Sequence, residues 1–222
     1  MQATNVDTIV RVVEVRLPLT HDDHASLVWR VKFISWLSLA YMAVEAVVGI
    51  YAGVAANSVA LIGWGIDSTI EAVASLVIIW RFTGDRIHSD DAERTAQKVV
   101  GLSFFLLAPY IVIEATRHLL TGSEAKASWV GIALALSSII LMPLFGYAKR
   151  RLGNKLTSAA TAGEGTQNIL CAYLSVAILV GLAANALVGW WWADPLVALL
   201  VAVVAVQAGR RTWRGEACDA SC

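Results

Sequence analysis

Long apolar runs separated by short polar stretches dominate the chain. Few charges interrupt residues 31–53, 59–81, 97–117, 128–147, 158–184 and 193–209. A transmembrane helix needs roughly 20 mostly apolar residues, so these runs are of bilayer-crossing length. None shows the period-two alternation of a barrel strand. The pattern predicts an all-α membrane protein with six transmembrane helices. It divides the chain into a polar segment 1–30, a six-helix domain 31–209 and a short tail 210–222 that holds Cys218 and Cys222.

The basic residues orient the spans. Of 17 Lys and Arg, only Arg117 and Lys126 lie between spans three and four, and none lies between the other spans on that side. The rest precede span one, follow span six, or fall between spans two and three and between spans four and five. The positive-inside rule then places both termini in the cytoplasm. Trp29, Trp80, Trp129, Trp190, Trp191, Trp192 and Trp213 stand near span ends, where an interfacial belt would lie. The first residues lack an apolar core followed by a cleavage site, so no signal peptide is expected.

Composition agrees. The chain is 58% hydrophobic and 15% charged, with a mean hydropathy of +0.65. Soluble domains are about half apolar and about a quarter charged. Disorder and a small disulfide scaffold are excluded. The 17 basic residues are balanced by 17 acidic ones, so no basic field exists to hold nucleic acid. Lipid is the expected surrounding. Cytoplasmic thiols stay reduced, so no structural disulfide is expected among Cys171, Cys218 and Cys222.

Ionisable groups at membrane depth are costly and mark function by default. In span two, Asp67 and Glu71 are four residues apart and share a helix face. Their charges repel, so one must be protonated or both must share a cation. In span five, Glu164, Gln167 and Cys171 follow the i, i+3, i+7 rhythm of one face. Carboxylate, amide oxygen and thiolate all bind divalent metal, and thiolate favours zinc or cadmium over magnesium or calcium. Gln and Thr also glue membrane helices together, and a buried Cys can be a small hydrophobe. Glu45 has no partner on its own helix. Glu114 has Arg117 and His118 within one turn and reads as an outward-facing ion pair. The His21-Asp22-Asp23-His24 run and the Cys218/Cys222 pair are weak metal motifs and read as solvated polar stretches.

Together these residues resemble the cation diffusion facilitators, six-span metal exporters that often exchange metal for protons. The likeness covers roughly residues 30–214. It rests on Ser58-Val-Ala-Leu followed by Gly65-Ile-Asp67-Ser-Thr-Ile-Glu71, on the Glu164-to-Cys171 face, and on Gly189-Trp-Trp-Trp-Ala-Asp194-Pro195 before span six. The run from Arg94 to Pro109-Tyr110 and the Met142-Pro143 turn resemble a short bacterial branch without the C-terminal cytoplasmic domain. In the family, two acids four apart on span two meet two ligands four apart on span five. Carried over, the implied metal set is Asp67, Glu71, Gln167 and Cys171, with Glu164 where an acid often stands. Glu71 replaces the commoner Asp, and Gln167 and Cys171 replace the usual His or Asp and Asp.

The resemblance implies a multi-pass protein of the bacterial cytoplasmic membrane that exports divalent cations, zinc first, with cobalt, cadmium, manganese or iron as other cargoes. It implies proton exchange and a homodimer. No prosthetic group is expected. A membrane enzyme is not expected either: an aspartyl protease needs two deep Asp on different helices, and only Asp67 is deep. The alternative is a non-transporting relative that binds metal as a sensor or partner subunit. The topology makes a direct prediction. A cysteine placed at Ser123 should react with an impermeant thiol reagent from outside intact cells, and Cys218 and Cys222 should not. Labelling of the tail from outside would reverse the orientation.

Overall fold

A bilayer leaves backbone groups no water to bond, so a chain this apolar closes its hydrogen bonds within helices. The computed structural model describes residues 21–55, 59–122, 129–188 and 192–216. They form α1 (His21–Ala55), α2 (Val59–Arg81), α3 (Asp90–Thr121), α4 (Trp129–Lys155), α5 (Ala159–Val188) and α6 (Ala193–Trp213), with a short 3-10 turn at Gly84–His88. Segments 22–52, 62–81, 90–121 and 129–155 are long and apolar enough to cross a membrane. Asn57, Ser58, Ser123, Trp190, Trp191, Cys218 and Cys222 lie outside the described residues.

The helices extend beyond the apolar runs that announce them. α1 begins at His21 and continues through residue 30, with Asp22 and Asp23 in its first turn, where carboxylates suit the helix dipole. The His24 ring stacks on His88, with centroids 5.7 Å apart. α3 starts at a Ser89 cap whose side chain accepts from Ala92 N at 3.2 Å. It ends on Gly122, whose φ of +57° suits glycine.

One carboxylate ties three helix ends together. Glu93 of α3 accepts from Arg81 Nε of α2 at 2.9 Å and from Ala160 N in the first turn of α5 at 3.1 Å. Ser158 caps α5 and donates to Glu93 at 3.0 Å. At this end Leu27, Ile78, Val100, Leu152, Ala160 and Ala208, one from each helix, share a single apolar core. Successive helices therefore alternate in direction. The N-terminal end of α1 lies beside the C-terminal ends of α2, α4 and α6, so most of the Lys and Arg residues gather at this end.

The bundle is inverted relative to a water-soluble protein. Val44, Val47, Leu106, Ile113, Ile140 and Leu200 face outward. Glu45, Glu71, Lys149, Glu164, Gln167 and Asn168 are buried. An apolar exterior around a polar interior is what a lipid solvent selects. Close pairs form between α1 and α2, α4 and α5, and α3 and α6. Glycine permits two of the approaches. A Cβ on Gly65 would stand 2.8 Å from the Ala46 carbonyl oxygen of α1, and one on Gly165 would stand 2.7 Å from the Gly146 carbonyl oxygen of α4. Gly65→Ala should push α1 from α2 and cost about 1–3 kcal/mol, the usual penalty of overpacking. Thermal unfolding in detergent would read this, and a stability equal to the parent's would contradict the contact.

Candidate metal centre

α2 supplies two acids because i and i+4 side chains stack on one face. That face looks into the bundle toward α5, where Cys171 sits. One donor atom each from Asp67, Glu71 and Cys171 lies within 4.8 Å of the others. An ion at the centre of such a triangle is about 2.8 Å from each atom at most, against ~2.0–2.3 Å for zinc with oxygen and sulfur. Side-chain rotation closes that gap.

Glu71 and Cys171 are buried. Asp67 keeps some exposure as a residue, yet its Oδ1 is withdrawn from the surface. That atom and both Glu71 oxygens have no hydrogen-bond partner among the described residues. Native structures rarely leave buried polar atoms unpaired, and a buried carboxylate without a donor is costly. The arrangement is completed by protons or by a cation.

Glu45 of α1 borders the centre. It accepts from Ser68 of α2 at 3.1 Å, Ser138 of α4 at 2.9 Å and Tyr41 at 3.3 Å. Its charge acts on both Asp67 and Glu71. The sequence shows Glu45 as an acid without a partner on its own helix; the structure corrects this, since Tyr41 stands one turn before it on α1 and donates to it, while Ser68 and Ser138 come from two other helices.

The other two members of the predicted set are turned elsewhere. Gln167 Oε1 accepts from Ser103 of α3 at 2.8 Å, and its buried Nε2 has no partner among the described residues. Ser103 also approaches the Val100 carbonyl at 2.7 Å, and its single proton serves only one of these acceptors. A half-turn of the Gln167 amide resolves the conflict: Nε2 then donates to Ser103, and the amide oxygen takes the unpartnered place.

Glu164 is occupied by an ion pair. Lys149 Nζ of α4 donates to Glu164 Oε1 at 2.6 Å, to Ser38 Oγ of α1 at 2.5 Å and to Ser75 Oγ of α2 at 3.1 Å. Ser75 also donates to Glu164. The structure therefore places Glu164 in a buried pair rather than among the gathered donors. The reason is height: it stands two helical turns before Cys171, about 10 Å along the axis. Lys149 was legible only as one of the basic residues near a span end. Its spacing of eleven from Ser138 was the overlooked signal, because it returns to the same helix face. Glu114 makes the local pair expected of it, at 3.1 Å from His118 and 3.5 Å from Arg117.

Residues 35–215 match the sequence profile of the cation efflux transmembrane domain. The chain belongs to the cation efflux family. Among its relatives is transmembrane protein 163 of Xenopus laevis, 25% identical over 80% of this chain and 64% of the relative. An uncharacterized transporter of Synechocystis sp. is 26% identical over 71% of this chain and 54% of its own length. Magnetosome protein MamB of Magnetospira sp. is 28% identical, over 71% and 56%. The chain thus spans between about half and just under two thirds of these relatives' lengths.

The ion pair yields a stability prediction. Lys149→Met leaves Glu164 buried without a cation, and breaking such a pair costs about 3–5 kcal/mol. The double variant Lys149→Met/Glu164→Gln should regain much of that loss. Unfolding of both in detergent measures the difference. A single variant as stable as the parent would show that the pair does not hold the helices.

Proposed function

We propose that the protein moves divalent metal cations across the bacterial cytoplasmic membrane. It exports zinc-like ions in exchange for protons, through six spans with both termini in the cytoplasm. The observation that carries this reading is the meeting of Asp67, Glu71 and Cys171, with carboxylate oxygens that no described residue satisfies. Membership of the cation efflux family supports it, as does a relative whose name describes a transporter.

The chemistry follows from the donor set. Two carboxylates and a thiolate offset the charge of a divalent ion in a medium that penalises it. The thiolate biases the choice toward zinc and cadmium. A thiol binds metal only after losing its proton, so loading releases protons. When the ion leaves, protons return to the same atoms. Helices rocking about this point would open it to each side in turn. No bond is made or broken in the cargo, so the protein is not an enzyme on this reading.

One observation also suits the second reading, a metal-binding membrane protein that does not transport. The helices around the centre are knotted by Lys149, Glu164, Ser38 and Ser75, and a fixed knot would serve a sensor equally well. Flux separates the two. Proteoliposomes loaded with a metal-sensitive dye and an interior pH dye should show zinc or cadmium entry with opposing proton movement. Asp67→Asn and Glu71→Gln should each remove most of this flux while inserting normally, since neutralising a buried acid eases insertion. Cys171→Ala should weaken cadmium transport, and Cys171→Asp should shift preference toward manganese. Parent-level flux in both acid variants would place the pathway elsewhere, and metal binding without flux in the parent would favour the second reading.

A further inference from the structure

The chain contains three methionines, and two of them are internal: Met42 on α1 and Met142 on α4. Separated by a hundred positions, they nonetheless meet. Both are fully buried and pack in one small cluster with Cys171. Every sulfur side chain among the described residues therefore stands in one cluster, and its Cys171 thiol is gathered with the carboxylates of Asp67 and Glu71.

The sulfurs are not simply sunk in hydrocarbon. Ser75 Oγ approaches Met42 Sδ at 3.7 Å, and Asn168 Nδ2 approaches Met142 Sδ at 3.3 Å. Ser75 is one turn beyond Glu71 on α2, and Asn168 is one turn before Cys171 on α5. The thioether lone pairs thus face the polar seam, one turn from the gathered donors. Methionine often fills irregular gaps in a core. A gap-filler needs only volume, which Leu or Ile supplies elsewhere in this bundle. It does not require both sulfurs to lie beside polar side chains, Ser75 at Met42 and the Asn168 amide at Met142, next to a thiol.

We propose that Met42 and Met142 form, with Cys171, a sulfur wall that makes the site selective for soft, thiophilic cations of the cadmium type. This rests on the transport-site reading above and names the class of cation it favours. The thioether is neutral and soft, and it needs no deprotonation to bind. It adds attraction for cadmium and next to nothing for manganese, which prefers oxygen. Asp67 and Glu71 provide the charge that any divalent ion requires. The methionines distinguish among ions of equal charge.

Leu replaces Met at nearly constant volume and without sulfur, so packing should survive. Cadmium and manganese binding would be titrated on the detergent-solubilised full chain as parent, Met42→Leu, Met142→Leu, the double Leu variant, and Asp67→Asn/Glu71→Gln. The double Leu variant should lose roughly tenfold or more in cadmium affinity, the scale on which groups around a metal act, with manganese little changed. X-ray absorption at the cadmium edge of the parent should show more than one sulfur neighbour, a readout independent of any variant's folding. A single sulfur neighbour in the parent, or an unchanged cadmium-to-manganese ratio in a folded double Leu variant, overturns the sulfur wall. If the acid double variant binds both ions as the parent does, the site reading itself fails and takes this proposal with it. Loss of all binding in that variant, with the ratio unchanged in the Leu variants, removes the sulfur wall alone.

Discussion

From its place on α4, the Lys149 ammonium holds Ser38 of α1, Ser75 of α2 and Glu164 of α5, so one cation fixes the relative height of four helices. Burying both ions of a pair costs several kcal/mol each, and such a pair seldom adds net stability over apolar packing. Its yield is registry. Apolar helix faces slide past one another with little preference, whereas an ammonium with three oxygens in range has one good position. Ser75 is a turn from Glu71, and Glu164 is two turns from Cys171. Fixing the helices at the lysine therefore fixes where the acids and the thiol stand a turn or two away.

The sequence made the helices and their number legible because apolar runs of bilayer length admit few other structures. It showed less of where they end. Hydropathy marks the part of a helix that prefers lipid, while α1 and α3 continue through charged residues that it counts as loop. Ser89 with Asp90, Asp91 and Glu93 after it marks the true start of α3 by a rule independent of hydropathy, a signal that the apolar runs alone do not carry. In the candidate site, Asp67 and Glu71 were readable because a spacing of four is almost one helical turn. Gln167 and Glu164 pass the same periodic test as Cys171, yet periodicity gives angle and not neighbour. Gln167 lies about 40° around α5 from Cys171, enough to turn it to α3. Glu164 shares the angle of Cys171 and differs in height. The sulfur cluster was beyond reach of the sequence, since Met42 and Met142 are related only through the packing of α1, α4 and α5.

Polar contacts are unevenly spread through the bundle. Buried hydrogen bonds link α1, α2, α4 and α5 through Ser38, Ser75, Glu45, Ser138 and Lys149. α3 and α6 meet through apolar groups instead, with Phe104, Leu107 and Ile111 against Ala202 and Ala205. A Cβ on Gly209 of α6 would stand 2.8 Å from Phe104 Cβ, so the two helices touch closely there through apolar atoms. Such an interface shifts at less cost than a hydrogen-bonded one. Under the proposed function, the contact between α3 and α6 is the one that yields most cheaply, while Glu93 and the Ser103–Gln167 bond keep α3 tied to α2 and α5.

Charge accounting supplies the reason that protons belong in that scheme. Glu71 feels the charges of Asp67, Glu45, Glu164 and Lys149, so these groups form one electrostatic unit. Fully ionised, four carboxylates face one ammonium, and the unit is three negative charges in excess before Cys171 is counted. A bilayer interior does not tolerate that excess. A divalent ion removes two of the three. A single proton shared among the carboxylates removes the last. If Cys171 binds as thiolate, one further proton leaves as the ion enters. Under the proposed function, the empty unit would hold protons, and an entering ion would displace some of them.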